Sequence, residues 1–321
     1  MIRVATTEGR GWIVKQASPL DATHVRMLDR EAAFCRMLDV LPWTHGLRSI
    51  VPRLRAYDPG VHALVVEYLP HETAWNYLRR KTANAKELGS AIGRTLARAH
   101  IRVPSGVPAP AMFSAKIPWI LQLNRVAAQD IPEPATRALL AVIRGDPWLT
   151  RRLVDLERGW RIDTLIHGDA KLDNIIVKMS GRSHAWLVDW AFAGEGDPAW
   201  DVGSTLQSAL GLWLYGVDVR REHSIDESVA QAAFPAELVQ SFAGSLLEAY
   251  RTARELTQAR WRVMLPRIIR YGGVALIQAA LGDARSQETY SPRQIIALQM
   301  GKELIAAPLR AMREFLSEPR T

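Results

Sequence analysis

Apolar residues recur at two spacings along this chain, and the change from one to the other divides it. Up to residue 69 the pattern is one of short runs, with Met1 to Thr6, Trp12 to Gln16, Arg53 to Tyr57 and His62 to Tyr68 reading as strands. The first two are joined through Glu8-Gly9-Arg10-Gly11, where glycine tolerates the positive φ of a hairpin turn. Between the two pairs, Val25, Leu28, Ala32, Cys35 and Leu38 step at helical spacing and predict a helix from Ala22 to Leu41. From residue 71 onward the pattern turns helical. Leu88, Ile92, Leu96 and His100 share one stripe. Further helices are expected over Trp119 to Ala128, Glu133 to Arg144, Trp148 to Trp160, Leu206 to Tyr215, Ala236 to Leu256, Ala259 to Leu281 (kinked at Pro266) and Pro292 to Leu316. Pro104 to Pro118 reads as a loop between helices. Two apolar runs, Ile175 to Val177 and Ala185 to Val188, interrupt the helical half and predict a strand hairpin.

Composition narrows the class. A chain of 321 residues, 48% hydrophobic, can bury a large core, and this size favours two lobes. No apolar run approaches the roughly twenty residues of a membrane span. The Met-Ile-Arg-Val start has no secretory character, so a soluble cytoplasmic protein without a membrane partner is expected. The lone Cys35 falls in a helical pattern and predicts a buried structural thiol. The net charge of +8 has a local concentration at Arg251, Arg254, Arg260, Arg262, Arg267 and Arg270, readable either as a surface for an anionic ligand or as a solvated helix face. Nucleic acid is not the expected partner, because no recognisable binding module accompanies the charge.

The chemistry concentrates in residues 167 to 201, HGDAKLDNIIVKMSGRSHAWLVDWAFAGEGDPAWD. Asp169 and Asn174 stand across a short loop leading into the first strand of the hairpin, and Asp189 follows the second, so both loop ends reach one rim. Mg2+ prefers oxygen ligands and usually takes one or two protein carboxylates together with substrate phosphates. Asn174 and Asp189 suit that role, which leaves Asp169 to accept the proton of an attacking hydroxyl. The plain alternative is that these acids cap turns and that His167 is a core histidine.

Taken in order, His167-Gly168-Asp169, Asn174, Asp189-Trp190 and Gly196-Asp197-Pro198 with Asp201 resemble the catalytic and metal loops of the protein-kinase-like superfamily, in the variant carried by aminoglycoside phosphotransferases. The resemblance implies a two-lobed α+β fold, with a strand-rich nucleotide-binding lobe at residues 1–69 and a helical catalytic and acceptor-binding lobe at 70–321. It also implies Mg2+-dependent transfer of the ATP γ-phosphoryl group to a hydroxyl-bearing substrate. Within the first lobe, WIVK followed by REAAFCRML resembles the strand lysine that holds the nucleotide phosphates and the helix glutamate that orients it, here Lys15 and Glu31. Ala63 to Pro70 resembles the strand and hinge on which adenine lies, with backbone groups of Glu67, Tyr68 and Leu69 at the ring. His100, ending LGSAIGRTLARAH, resembles a structural histidine of that family, and Asp201 is expected to tie down the catalytic loop.

Two features depart from the family pattern. Only fourteen residues precede Lys15, and none forms a glycine-rich phosphate loop. Either the loop is absent, or a partner covers the nucleotide, or the true start lies upstream. Lys171 stands two residues after the base, where protein Ser/Thr kinases place a lysine against the transferring phosphoryl group. HGDAKLDN, DPAWDVGS and YSPRQIIALQMGKELIAAP look similar to kinases paired with lyases in thioamitide and class V lanthipeptide biosynthesis. That likeness implies Ser or Thr of a precursor peptide as acceptor and a partner lyase, and a peptide with an acidic leader suits so basic a chain. A small-molecule alcohol, and a non-catalytic kinase-fold subunit, are the alternatives.

Overall fold

The computed structural model describes residues 2–5, 11–80, 82–104, 117–127, 131–217 and 232–316. The turn expected at Glu8 to Arg10 and most of the Pro104 to Pro118 stretch lie outside them.

The first lobe is an antiparallel sheet in the order β1 (Ile2–Ala5), β2 (Gly11–Gln16), β4 (Ala63–Glu67), β3 (Leu54–Asp58). Side chains alternate across a pleated sheet, so residues paired across strands share a face. Ile13 pairs with Val66 and Lys15 with Leu64, and Leu64 and Val66 are buried. That register turns Lys15 toward the side covered by α1 (Ala22–Val40). The helix begins where the Asp21 carboxylate accepts hydrogen bonds from the N–H groups of Thr23 and His24, two donors that the first turn leaves unsatisfied. Leu28 and Ala32 join a small core with Ala17, Leu64 and Val66, while Phe34, Cys35, Met37 and Leu38 join the large core of the second lobe. One helix therefore belongs to both cores. Burial pushes the Cys35 thiol up to about 12, as suits an unreactive core residue.

The second lobe opens with β5 (Glu72–Thr73) and α2 (Ala74–Leu78), followed by α3 (Ala85–Ala99), α4 (Pro134–Arg144) and α5 (Pro147–Arg158). β6 (Thr164–Ile166) leads into the HGD loop, and the expected hairpin is β7 (Ile175–Lys178) and β8 (His184–Leu187), with β5 paired on the outer side of β7. β9 (Gly194–Gly196) returns beside β6, and α6 (Pro198–Gly216), α7 (Ala236–Ala253), α8 (Gln258–Asp283), α9 (Pro292–Ala306) and α10 (Pro308–Leu316) complete the lobe.

Three of the predicted helices differ from the sequence reading. Trp119 to Arg125 is a 3-10 helix broken at Gln122, not an α-helix. Helix α6 begins at Pro198 and not at Leu206, because Asp197 caps it and proline, whose missing N–H is harmless in the first turn, starts it. The last expected helix is two, divided at Pro308. Pro266 lies inside α8, which continues past it. Helices α6 and α8 cross closely at Gly203, where a Cβ would stand 2.6 Å from the Ile268 carbonyl oxygen and 2.7 Å from the Gly272 nitrogen. Among the described residues no helix is long and apolar enough to cross a membrane.

Candidate active site

The HGD loop is fixed by hydrogen bonds from its own imidazole and from α6. His167 is buried, donates Nε2–H to the Val188 carbonyl at 2.8 Å and accepts the Asp169 N–H at Nδ1 at 3.2 Å, which joins the catalytic loop to the end of β8. Gly168 has φ of +83°, and a Cβ there would lie 2.5 Å from the Phe192 carbonyl oxygen, so glycine meets both a left-handed backbone and a close approach. From α6, Asp201 accepts the N–H groups of His167 at 2.6 Å and Gly168 at 2.9 Å. Thr205 donates to the Ala170 carbonyl at 2.6 Å, Ser208 accepts the Leu172 N–H at 3.1 Å, and the Trp200 indole donates to the Gly168 carbonyl at 3.1 Å.

Asp201 is itself anchored in a buried network. His100, at the end of α3, faces Asp201 through Nε2 at 3.1 Å and Tyr250 of α7 through Nδ1 at 2.8 Å. Arg254 donates to the His100 carbonyl at 2.6 Å. Burial holds the His100 pKa below its ordinary value, so the ring is neutral, accepts the Tyr250 hydroxyl proton and donates to Asp201. Burial alone would raise the Asp201 carboxyl, but the hydrogen bonds from His100 and the His167 backbone outweigh it and hold the group below the usual carboxylate range.

The loop borders a cleft of about 360 Å³ between the lobes, lined by Lys15, Glu31, Asp169, Lys171, Asn174 and Asp189 together with Met27, Leu28, Ala191 and Phe192. Lys15 Nζ lies 2.8 Å from Glu31 and also contacts Asp189. Burial opposes the charged ammonium, yet the two carboxylates outweigh it and raise the Lys15 pKa. Asn174 Nδ2 donates to the Asp169 carboxylate at 2.8 Å and to its carbonyl at 2.9 Å. Lys171 Nζ lies 3.0 Å from the Asp169 carboxylate and is 46% exposed. The structure thus brings together six of the nine site residues read from the sequence. Glu67, Tyr68 and Leu69 do not line this cleft. The N–H groups of Glu67 and Tyr68 are taken up by the carbonyls of Arg53 and Gly11, while the Leu69 N–H enters no hydrogen bond among the described residues.

The family model described as "Phosphotransferase enzyme family" matches residues 1–261. The chain belongs to the phosphotransferase enzyme family. Membership implies an ATP- and Mg2+-dependent enzyme that phosphorylates a hydroxyl. Solved structures agree on the fold. Plasmodium vivax ethanolamine kinase is 14% identical, with a TM-score of 0.57 over 96% of this chain and 78% of that one. The choline kinase of Streptococcus pneumoniae is 15% identical, with a TM-score of 0.50 over 94% of this chain and 88% of that one. An aminoglycoside-3'-phosphotransferase of type VIII is 18% identical, with a TM-score of 0.50 over 84% of this chain and 87% of that one. No curated protein matches this phosphotransferase by sequence.

Several residues that shape the site escaped the sequence reading. Phe192 stands 43% exposed on the cleft lip. Thr205, Ser208 and Tyr250 brace the loop, and the only trace of the first two in the sequence is polarity on a largely apolar helix. The arginine concentration does not form one free basic surface. Arg267 pairs with the buried Asp197, Arg254 turns inward to His100, and Arg251 meets Glu248 and Gln258, whereas Arg260 and Arg262 are exposed.

Proposed function

We propose that this cleft transfers the ATP γ-phosphoryl group to an alcohol, with Asp169 as the residue that takes the hydroxyl proton. The observation carrying this reading is the juxtaposition of Asp169, Asn174 and Asp189 with the Lys15–Glu31 pair in one cleft. Lys15, oriented by Glu31, would hold the α- and β-phosphates, and the hinge backbone at Glu67, Tyr68 and Leu69 would meet adenine, chiefly through the Leu69 N–H, which has no hydrogen-bond partner among the described residues.

The donor set suits Mg2+. Asn174 spends its amide nitrogen on Asp169, which leaves its carbonyl oxygen, and Asp189 adds a carboxylate. Both are hard oxygen donors, and no group of three His, Cys, Asp or Glu side chains comes together among the described residues to form an all-protein cage. When bound, the ion neutralises phosphate charge. Asp169 accepts a hydrogen bond from Asn174, and Lys171 beside it would stabilise negative charge on the moving group.

For the acceptor, we read a Ser or Thr hydroxyl of a precursor peptide, with dehydration left to a partner lyase. Support comes from the electrostatics of the cleft: Asp169, the carboxylate assigned to the acceptor hydroxyl, already has partners in Lys171 and Asn174, so it offers no unpaired charge to a polycation, while Phe192 offers an apolar wall. A leader-binding surface would fall to Arg260 and Arg262, since Arg267 is engaged. A small alcohol is the second reading, favoured by a cleft volume within the range that holds small ligands. Incubation with Mg-ATP and either a candidate precursor peptide or a panel of alcohols, followed by mass spectrometry, separates them. Phosphate on peptide Ser or Thr is the expected result; phosphorylation of a small alcohol alone overturns the peptide reading.

A further inference from the structure

We propose that Arg30 is a positioning residue for the metal-ligand segment, an inference that rests on Asp189 holding the ion. Asp189 has a left-handed backbone, φ 64° and ψ 59°, a conformation uncommon for residues with a Cβ, although Asp takes it more readily than most. It starts the single 3-10 turn Trp190–Phe192, so the direction of its carboxylate depends on that turn keeping its place.

The turn is held from α1. The Arg30 guanidinium donates from Nε to the Ala191 carbonyl at 2.7 Å and from its terminal nitrogen to the Ala193 carbonyl at 2.8 Å. These two acceptors lie two residues apart on the chain, and the rigid fork of arginine answers both from one side chain. Phe34, one turn further along α1, stacks on Trp190 with ring centroids 4.2 Å apart and planes 8° from parallel. Glu31, next to Arg30, holds Lys15. A single helix therefore sets the phosphate-holding lysine with Glu31 and the metal-holding turn with Arg30. Groups that orient a metal ligand from behind affect metal affinity without touching the ion.

Arg48 provides an internal control. It also donates to two carbonyls, those of Leu38 at 2.9 Å and Asp39 at 3.1 Å, but at the far end of α1 and away from the cleft. Mn2+ serves as the probe, with free ion followed by electron paramagnetic resonance during titration of the full chain in the presence of ATP; ATP affinity without metal is measured alongside by calorimetry.

Arg30→Met is expected to weaken Mn2+ binding by about tenfold, Arg30→Lys by less because one carbonyl keeps a donor, and Arg48→Met not at all, with metal-free ATP affinity unchanged in all three. Asp189→Ala should abolish the metal site. Loss of Mn2+ binding in Asp189→Ala with wild-type affinity in Arg30→Met overturns the role of Arg30 alone. Wild-type affinity in Asp189→Ala overturns the metal reading and the role of Arg30 with it. If Arg30→Met does not fold, Arg30→Lys decides, and equal losses of metal-bound and metal-free ATP affinity in it overturn the proposal.

Discussion

Replacing Asp201 should loosen the catalytic loop and lower stability together, because its carboxylate is buried and serves three donors. The N–H groups of His167 and Gly168 and the Nε2–H of His100 all point at it, at 2.6, 2.9 and 3.1 Å. In Asp201→Ala each of these loses its acceptor in a place that water does not reach, and a buried donor left unpaired costs about 1–3 kcal/mol. Three of them sum to ~3–6 kcal/mol after allowing for partial relaxation, a large share of the roughly 5–15 kcal/mol that holds a folded domain together. Asp201→Asn keeps one acceptor oxygen but turns an amide N–H toward a donor, so about half that loss is expected. Urea unfolding followed by circular dichroism gives the stability. The same protein, assayed below its melting range, should show reduced turnover with ATP affinity nearly intact, since Lys15 and Asp189 lie outside this network. A change in unfolding free energy under about 1 kcal/mol for Asp201→Ala would refute the reasoning, as it would mean that the two backbone donors find other partners.

The pH dependence of stability follows from His100. Burial holds its pKa below the ordinary imidazole value of 6.5, so as pH falls below 6.5 the unfolded chain takes up a proton that the folded one refuses, and stability declines with falling pH. His100→Gln should flatten that slope between about pH 6.5 and 5 in thermal unfolding curves, and an unchanged slope would contradict the buried neutral ring. Lys171→Ala should slow phosphoryl transfer by roughly a hundredfold while ATP affinity stays the same, as expected for a group acting on charge that develops in the transition state; an equal fall in ATP affinity would assign Lys171 to ground-state binding instead.

The short-range parts of this site were legible in the sequence. Asp169, Asn174 and Asp189 are positioned by one loop and one hairpin, so strand pairing between near neighbours in the chain is enough to bring them together. Lys15 and Glu31 were readable because strand pleat and helix period fix which way each faces. Arg30 was not, since its partners are backbone carbonyls 161 and 163 residues away, and carbonyls have no sequence signature. Arg267 misled for a similar reason: its charge suggests a free surface, but its partner Asp197 lies 70 residues off. The early start of α6 was hidden because DPAWD reads as a motif tail, whereas Asp197 and Pro198 are also a helix cap and a first-turn proline. Tyr250 lies in a helix whose face could be assigned only after α3 had packed against it.

The most direct test of the account compares Asp169→Asn with Asp189→Ala, each measured for Mg-ATP binding by calorimetry and for phosphoryl transfer by mass spectrometry on whichever acceptor the wild-type enzyme phosphorylates. With the proposed roles, Asp169 at the hydroxyl proton and Asp189 at the metal, the first variant should keep Mg-ATP affinity and lose turnover, and the second should lose affinity itself. Equal loss of Mg-ATP binding in both variants, or turnover retained in Asp169→Asn, would contradict it.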